Sequence, residues 1–207
     1  MTNRIALDQV FQTVTSALSS KQAQLNQADT YNQDHGDHMV EIFEVITQAM
    51  QEKKGVDPAD QLEYASQLLR QKSQSGSAKM YAQNLHQASK RFQGQQLTSE
   101  NGLQLIESLL GTQAETPEAA QPQAGAGALG SLLGGLMGGG TQEQEGIGAG
   151  DLLTAGMAFL SSKQQGDSDM EAIVDAVVAA SSAGQSTHRA QSGSIVANTL
   201  LQAMLNK

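Results

Sequence analysis

The chain has 207 residues, a formal charge of −9, 39% apolar and 3% aromatic residues, and no cysteine. That length carries one ordinary domain with a real core and falls short of two. The acidic surface disfavours nucleic acid and anionic membranes as broad partners, and the lack of thiols excludes disulfides, thiolate metal sites and a cysteine nucleophile. No run approaches the length of a membrane span and no charged-then-apolar leader opens the chain, so a soluble, cytoplasmic protein is expected. Helical spacing then recurs along the sequence. Leu7, Val10, Phe11, Val14 and Leu18 form one stripe, and Met39, Ile42, Phe43, Ile46 and Met50 a second. A third helix opens at Pro58, which suits the first helical position, and buries Leu62, Ala65 and Leu69. A fourth uses Ala78, Tyr81, Ala82, Leu85 and Phe92; a fifth follows a Thr98 or Ser99 cap and turns Leu103, Ile106, Leu109 and Leu110 inward.

Residues 112–149 break the pattern with Gly, Ala, Gln and Pro, and read as a low-complexity, flexible insert. Inside it, the Leu/Gly segment 129–137 is either linker or a protein-contact patch. Periodicity resumes with a sixth helix on Leu152, Leu153, Gly156, Phe159 and Leu160. A seventh opens at a Ser168/Glu171 capping box and buries Ile173, Ala176, Val177 and Ala180. An eighth carries Val196, Thr199, Leu200 and Ala203. No strand pattern competes. The expected fold is all-α: one domain of five helices over residues 1–111, the insert over 112–149, and three helices over 150–207.

The densest chemistry lies in Gln33-Asp34-His35-Gly36-Asp37-His38-Met39, with Asp29 just upstream. Asp29, Asp34 and Asp37 are hard oxygen ligands of the kind Mg²⁺ takes, and Asn26 and Asn32 offer neutral oxygens. The next helix begins here, so its positive end would favour a bound anion. His35 and His38 open a second option, Zn²⁺, although a hydrolase would want a third histidine and only His86 and His188 remain. The bland alternative is a capped, solvated turn.

A second segment complements the first. Arg70, Lys72, Lys79, Lys90 and Arg91 lie in a stretch free of Asp and Glu, around the small-residue turn Ser73-Gln74-Ser75-Gly76-Ser77-Ala78. Hydroxyls and free N–H groups at a helix start form an anion cradle; the alternative is an ordinary N-cap beside a basic face. Together, a cation-holding loop and a phosphate-holding turn suggest a nucleotide site.

These segments resemble the nucleotide-binding domain of dihydroxyacetone kinases, the DhaL-like family. Ala28-Asp29 is similar to that family's Leu-Asp, and Asp34-His35-Gly36-Asp37-His38-Met39 to its Asp-His-Gly-x-Asn-Met. Ser75-Gly76-Ser77-Ala78-Lys79-Met80-Tyr81 resembles its glycine-rich phosphate turn, Leu97-Thr98 through Leu110 its next helix, and Gly150-Asp151-Leu152-Leu153-Thr154 its Gly-Asp-Lys-Thr segment. The resemblance implies an antiparallel eight-helix barrel. It further implies ADP or ATP beside Ser75, Gly76, Ser77, His35 and Thr154, with Mg²⁺ on Asp29, Asp34 and Asp37. The implied activity is glycerone kinase-type phosphoryl transfer, with a separate subunit holding the substrate. Three departures stand out. The family's middle aspartate falls at Asn32 or in a deletion. The phosphate turn has lost glycines. Ser186-Thr187-His188-Arg189-Ala190 and Gln191-Ser192-Gly193-Ser194 replace its closing elements, which reads as a truncated lid. The alternative function is a non-catalytic interaction scaffold on a degenerate barrel.

Overall fold

The computed structural model describes residues 5–98, 101–111, 169–181 and 186–205. The insert, its 129–137 segment, the sixth helix with Thr154, and Ser99 and Ser168 lie outside the described residues, as does the Ile173 side chain. Within them every element is helical: α1 (Leu7–Ala28), α2 (His35–Glu52), α3 (Pro58–Lys72), α4 (Gly76–Arg91), α5 (Gly102–Leu110), α6 (Asp169–Ala179) and α7 (Thr187–Leu205). The all-α class follows from the composition, because the apolar residues recur at helical spacing with few β-branched or aromatic strand formers among them.

The stripes expected of α1 to α4 are buried to the last residue, from Leu7 to Leu18, Met39 to Met50, Leu62 to Leu69 and Ala78 to Phe92. Phe43 is the centre of this core. Its ring centroid is 6.2 Å from that of Phe11 on α1 and 5.2 Å, edge-on, from that of Tyr81 on α4. Beside it, the Thr15 hydroxyl meets Thr47 Oγ1 at 2.9 Å and the Phe43 carbonyl at 3.0 Å, so this buried polar knot between α1 and α2 is hydrogen-bonded on both sides.

Two helices differ in detail from the sequence expectation. Asn101, not Thr98, sits at the N-cap of α5, and its Oδ1 turns back to the Thr98 N–H at 2.8 Å; the helix therefore starts at Gly102, and Leu105 is buried while Leu103 is only half-buried. On α7 the buried face is Val196, Ala197, Leu200, Leu201 and Met204, with Thr199 and Ala203 at its margin. The rotation has a partner. A Cβ placed on Gly102 would stand 2.6 Å from Met204 Sδ, so the bare glycine of α5 admits the Met204 side chain and turns α7 toward it.

Paired side chains fix the directions. Thr15 meets Thr47 and Gln12 meets Gln51; Glu52 meets Tyr64 and Gln48 meets Lys72; Ser66 meets Ala82 and Glu63 meets His86. In each pair of helices one number falls as the other rises, so α1, α2, α3 and α4 alternate in direction. α7 packs against both α1 and α5, and α5 against α4, which joins α1, α2, α3, α4, α5 and α7 into a closed circuit of neighbours. The starts of α2, α4 and α7 consequently share one end of the molecule. Truncating the aromatic centre tests the packing: Phe43→Ala is expected to lower unfolding free energy by about 3–5 kcal/mol, read as a fall in the urea midpoint at unchanged slope.

Candidate functional site

The α1–α2 turn is built by a cap that crosses between helices. Asn26, in the last turn of α1, accepts the Gly36 N–H at 2.6 Å and the Asp37 N–H at 3.2 Å through its Oδ1. These are orphan donors of the first turn of α2; Asp34, at the N-cap itself, makes no side-chain capping bond. Gly36 permits the approach. A Cβ there would collide with the Gln22 backbone carbonyl and come 2.7 Å from Asn26 Oδ1. Gln33 completes the turn in the left-handed region, at φ 58°.

This arrangement sends the three aspartates in different directions. Asp37 Oδ1 accepts from both Asn26 Nδ2 and Gln22 Nε2 at 2.8 Å, and those amides hold its carboxyl below the usual carboxylate range. Asp34 pairs with His38 Nδ1 at 3.2 Å on the half-exposed outer face and accepts from Asn32. Asp29 is buried and accepts the Tyr31 N–H at 3.0 Å, which lowers its pKa; His188 and His35 act in the same direction. Among the described residues no group of three His, Asp or Glu side chains is arranged to hold a metal ion.

His35 points inward from the first position of α2. Its Nε2 lies 2.9 Å from Ser192 Oγ, and that hydroxyl donates to the Arg189 carbonyl at 3.0 Å. With its hydrogen committed there, Ser192 accepts, so His35 carries its proton on Nε2. The serine is buried and hydrogen-bonded twice, which makes it a strut between α2 and α7. The His35 ring packs edge-on against that of His188 at 4.7 Å. Burial and the His188 and Arg189 charges push the His35 pKa down to about 4, against the pull of Asp29.

The second sequence-predicted segment meets the first at this end. Ser75 caps α4, its Oγ accepting the Ala78 N–H at 3.1 Å, and Ser77 is buried behind it. Gly76 is exposed, and a Cβ there would stand 3.6 Å from Arg189 Nη2. Arg189 thus spans from the His35 and His188 pair to the start of α4. The basic stretch does not converge as a whole. Arg70, Lys72 and Lys79 flank the 73–75 turn, whereas Lys90 and Arg91 sit in the last turn of α4, ~20 Å along its axis.

Sequence reasoning missed Asn26 as a cap, because its acceptor and the donors it serves belong to different helices. His188 and Arg189, in the segment expected to run almost directly into the last helix, form the first turn of α7. No family model, curated protein or solved structure matches the chain.

Two outcomes follow from this geometry. Asn26→Ala should cost about 1–2 kcal/mol in chemical denaturation, the usual worth of a helix cap. Gly36→Ala should cost more, because it meets backbone and not a movable side chain. Between pH 6.5 and 4 the unfolded chain protonates His35 and the folded chain does not, so stability falls as pH drops through that window, by up to about 3 kcal/mol. Denaturant midpoints measured at pH 7, 5.5 and 4 should show this loss in the native protein and a shallower one in His35→Gln.

Proposed function

We propose that this chain is a divergent DhaL-like domain, an eight-helix barrel that binds the phosphates of ADP or ATP at one end and has lost phosphoryl transfer. The observation that carries the reading is the meeting of the Asp29–Gly36 turn, the Ser75–Ser77 turn and the start of α7 at a single end of the helical circuit. The closed circuit of described helices agrees with a barrel, and the basic residues beside the 73–75 turn agree with a phosphate ligand.

The donor set speaks against catalysis. A two-metal phosphoryl-transfer centre needs carboxylates gathered on shared cations. Here Asp37 is held by two amides, Asp34 by His38 and Asn32, and Asp29 by the Tyr31 N–H. As they stand, these three side chains do not fit Mg²⁺. The same observation favours the second reading, an interaction scaffold on a degenerate barrel. A cytoplasmic location and a substrate-binding partner subunit belong to the proposal as the family resemblance implies them. No described helix is long and apolar enough to cross a membrane.

A thermal melt separates the two readings. ADP at a hundred times its dissociation constant, with Mg²⁺ present, should stabilise the protein by about 2.7 kcal/mol, seen as a rise of several degrees in Tm. An unchanged Tm at millimolar ADP and ATP would leave the scaffold.

A further inference from the structure

The start of α5 combines a reactive sequence with a tight packing contact. Of the seven asparagines in the chain, only Asn101 is followed by glycine; the others precede Arg4, Gln27, Gln33, Leu85, Thr199 and Lys207. A residue without a Cβ leaves its backbone nitrogen unhindered and free to take the conformation of an imide ring. Gly102 is also the first residue of α5, so its N–H has no acceptor within the helix. Gln27, Leu85 and Thr199 lie inside helices, where the N–H is committed to the backbone ladder. The Asn101 side chain is half-buried and tied at both ends. Its Oδ1 accepts the Thr98 N–H at 2.8 Å, and its Nδ2 donates to the Gln96 carbonyl at 2.9 Å. Gly102 itself is buried, and a Cβ there would stand 2.6 Å from Met204 Sδ, so α7 closes against α5 at this glycine.

We propose that Asn101 and Gly102 form a self-modification site, in which the Gly102 nitrogen closes on the Asn101 side chain once the two hydrogen bonds of that side chain open. The nitrogen gives up its proton and attacks Cγ. The new N–Cγ bond forms, the Cγ–Nδ2 bond breaks, and Nδ2 leaves as ammonia with that proton. Water then hydrolyses the imide, so the balance is one water in and one ammonia out. Addition of water at Cγ leaves an aspartate at position 101. Addition at the main-chain carbonyl leaves the chain running through Cβ and Cγ, as an isoaspartate. The isoaspartyl link adds one backbone atom, ~1.5 Å of chain, directly ahead of Gly102. That displaces the glycine from Met204 and loosens the packing of α7 on α5. The aspartate product keeps an acceptor for the Thr98 N–H and places negative charge at a helix start, so it disturbs the contact less.

Peptide mapping by mass spectrometry of the full chain, held at mildly alkaline pH with and without denaturing urea, tests the site. Conversion is expected at Asn101 ahead of the other six asparagines, with isoaspartate in excess over aspartate. It should run roughly tenfold or more slower in the folded chain than in urea, because two hydrogen bonds must open first. The acidic fraction isolated by ion exchange, rich in isoaspartate, should melt several degrees below the unmodified protein. Asn101→Asp, which carries the charge without the lengthened chain, should melt close to it. Asn101→Gln should show no conversion at this position over the same period. Conversion spread evenly over the asparagines, or absent at Asn101 in urea, overturns the site. Equal rates with and without urea overturn the restraint by the side-chain bonds, and an isoaspartate form with unchanged Tm overturns the link to α7.

Discussion

The placement of the residues where α2, α4 and α7 begin depends on the contact of α1 with α2 at Gly36. Because position 36 has no Cβ, the backbone of α2 comes against the Gln22 carbonyl, and Asn26 reaches the two N–H groups that open the helix. This fixes both the tilt of α2 and its rotation about its axis. The rotation sets His35 inward, onto Ser192 and His188, and sets Asp37 outward, onto Gln22 and Asn26. A larger residue at position 36 would separate the helices and release both sets of contacts.

The same clamp explains why a loop rich in carboxylates does not make a cation site. Side-chain amides on α1 supply the donors that Asp37 would otherwise seek from water or metal, and the capping role of Asn26 withdraws the neutral oxygen that could have completed a shell. Asp29 at this end lies in the field of Arg189 and the helix starts. His35 stays neutral because burial disfavours its charged form and His188 and Arg189 add repulsion, against the pull of Asp29.

Much of the fold was legible because four of the helices carry uninterrupted 3.6-residue stripes, and burial of such a stripe is decided locally. The face of α7 was not, since Thr199 and Ala203 fit its periodicity as well as Ala197, Leu201 and Met204 do. The choice was made by Gly102, on another helix, which opens room for Met204. The site divided in the same way. Its two turns were visible as clusters of Asp, His, Ser and Gly, and they do share an end. The side chains that join them, Asn26, Ser192, His188 and Arg189, act across helices distant in sequence, where no local pattern marks them.

The central claim is that the turn after Asp29, the turn before Gly76 and the start of α7 meet in space. The chain holds only four histidines, so their ring protons are readily assigned by NMR. The rings of His35 and His188, 4.7 Å apart and from opposite ends of the sequence, should show a direct nuclear Overhauser contact in the free protein. If His35 instead shows contacts only to its own helix and none to His188, the shared end does not exist and the account built on it is wrong.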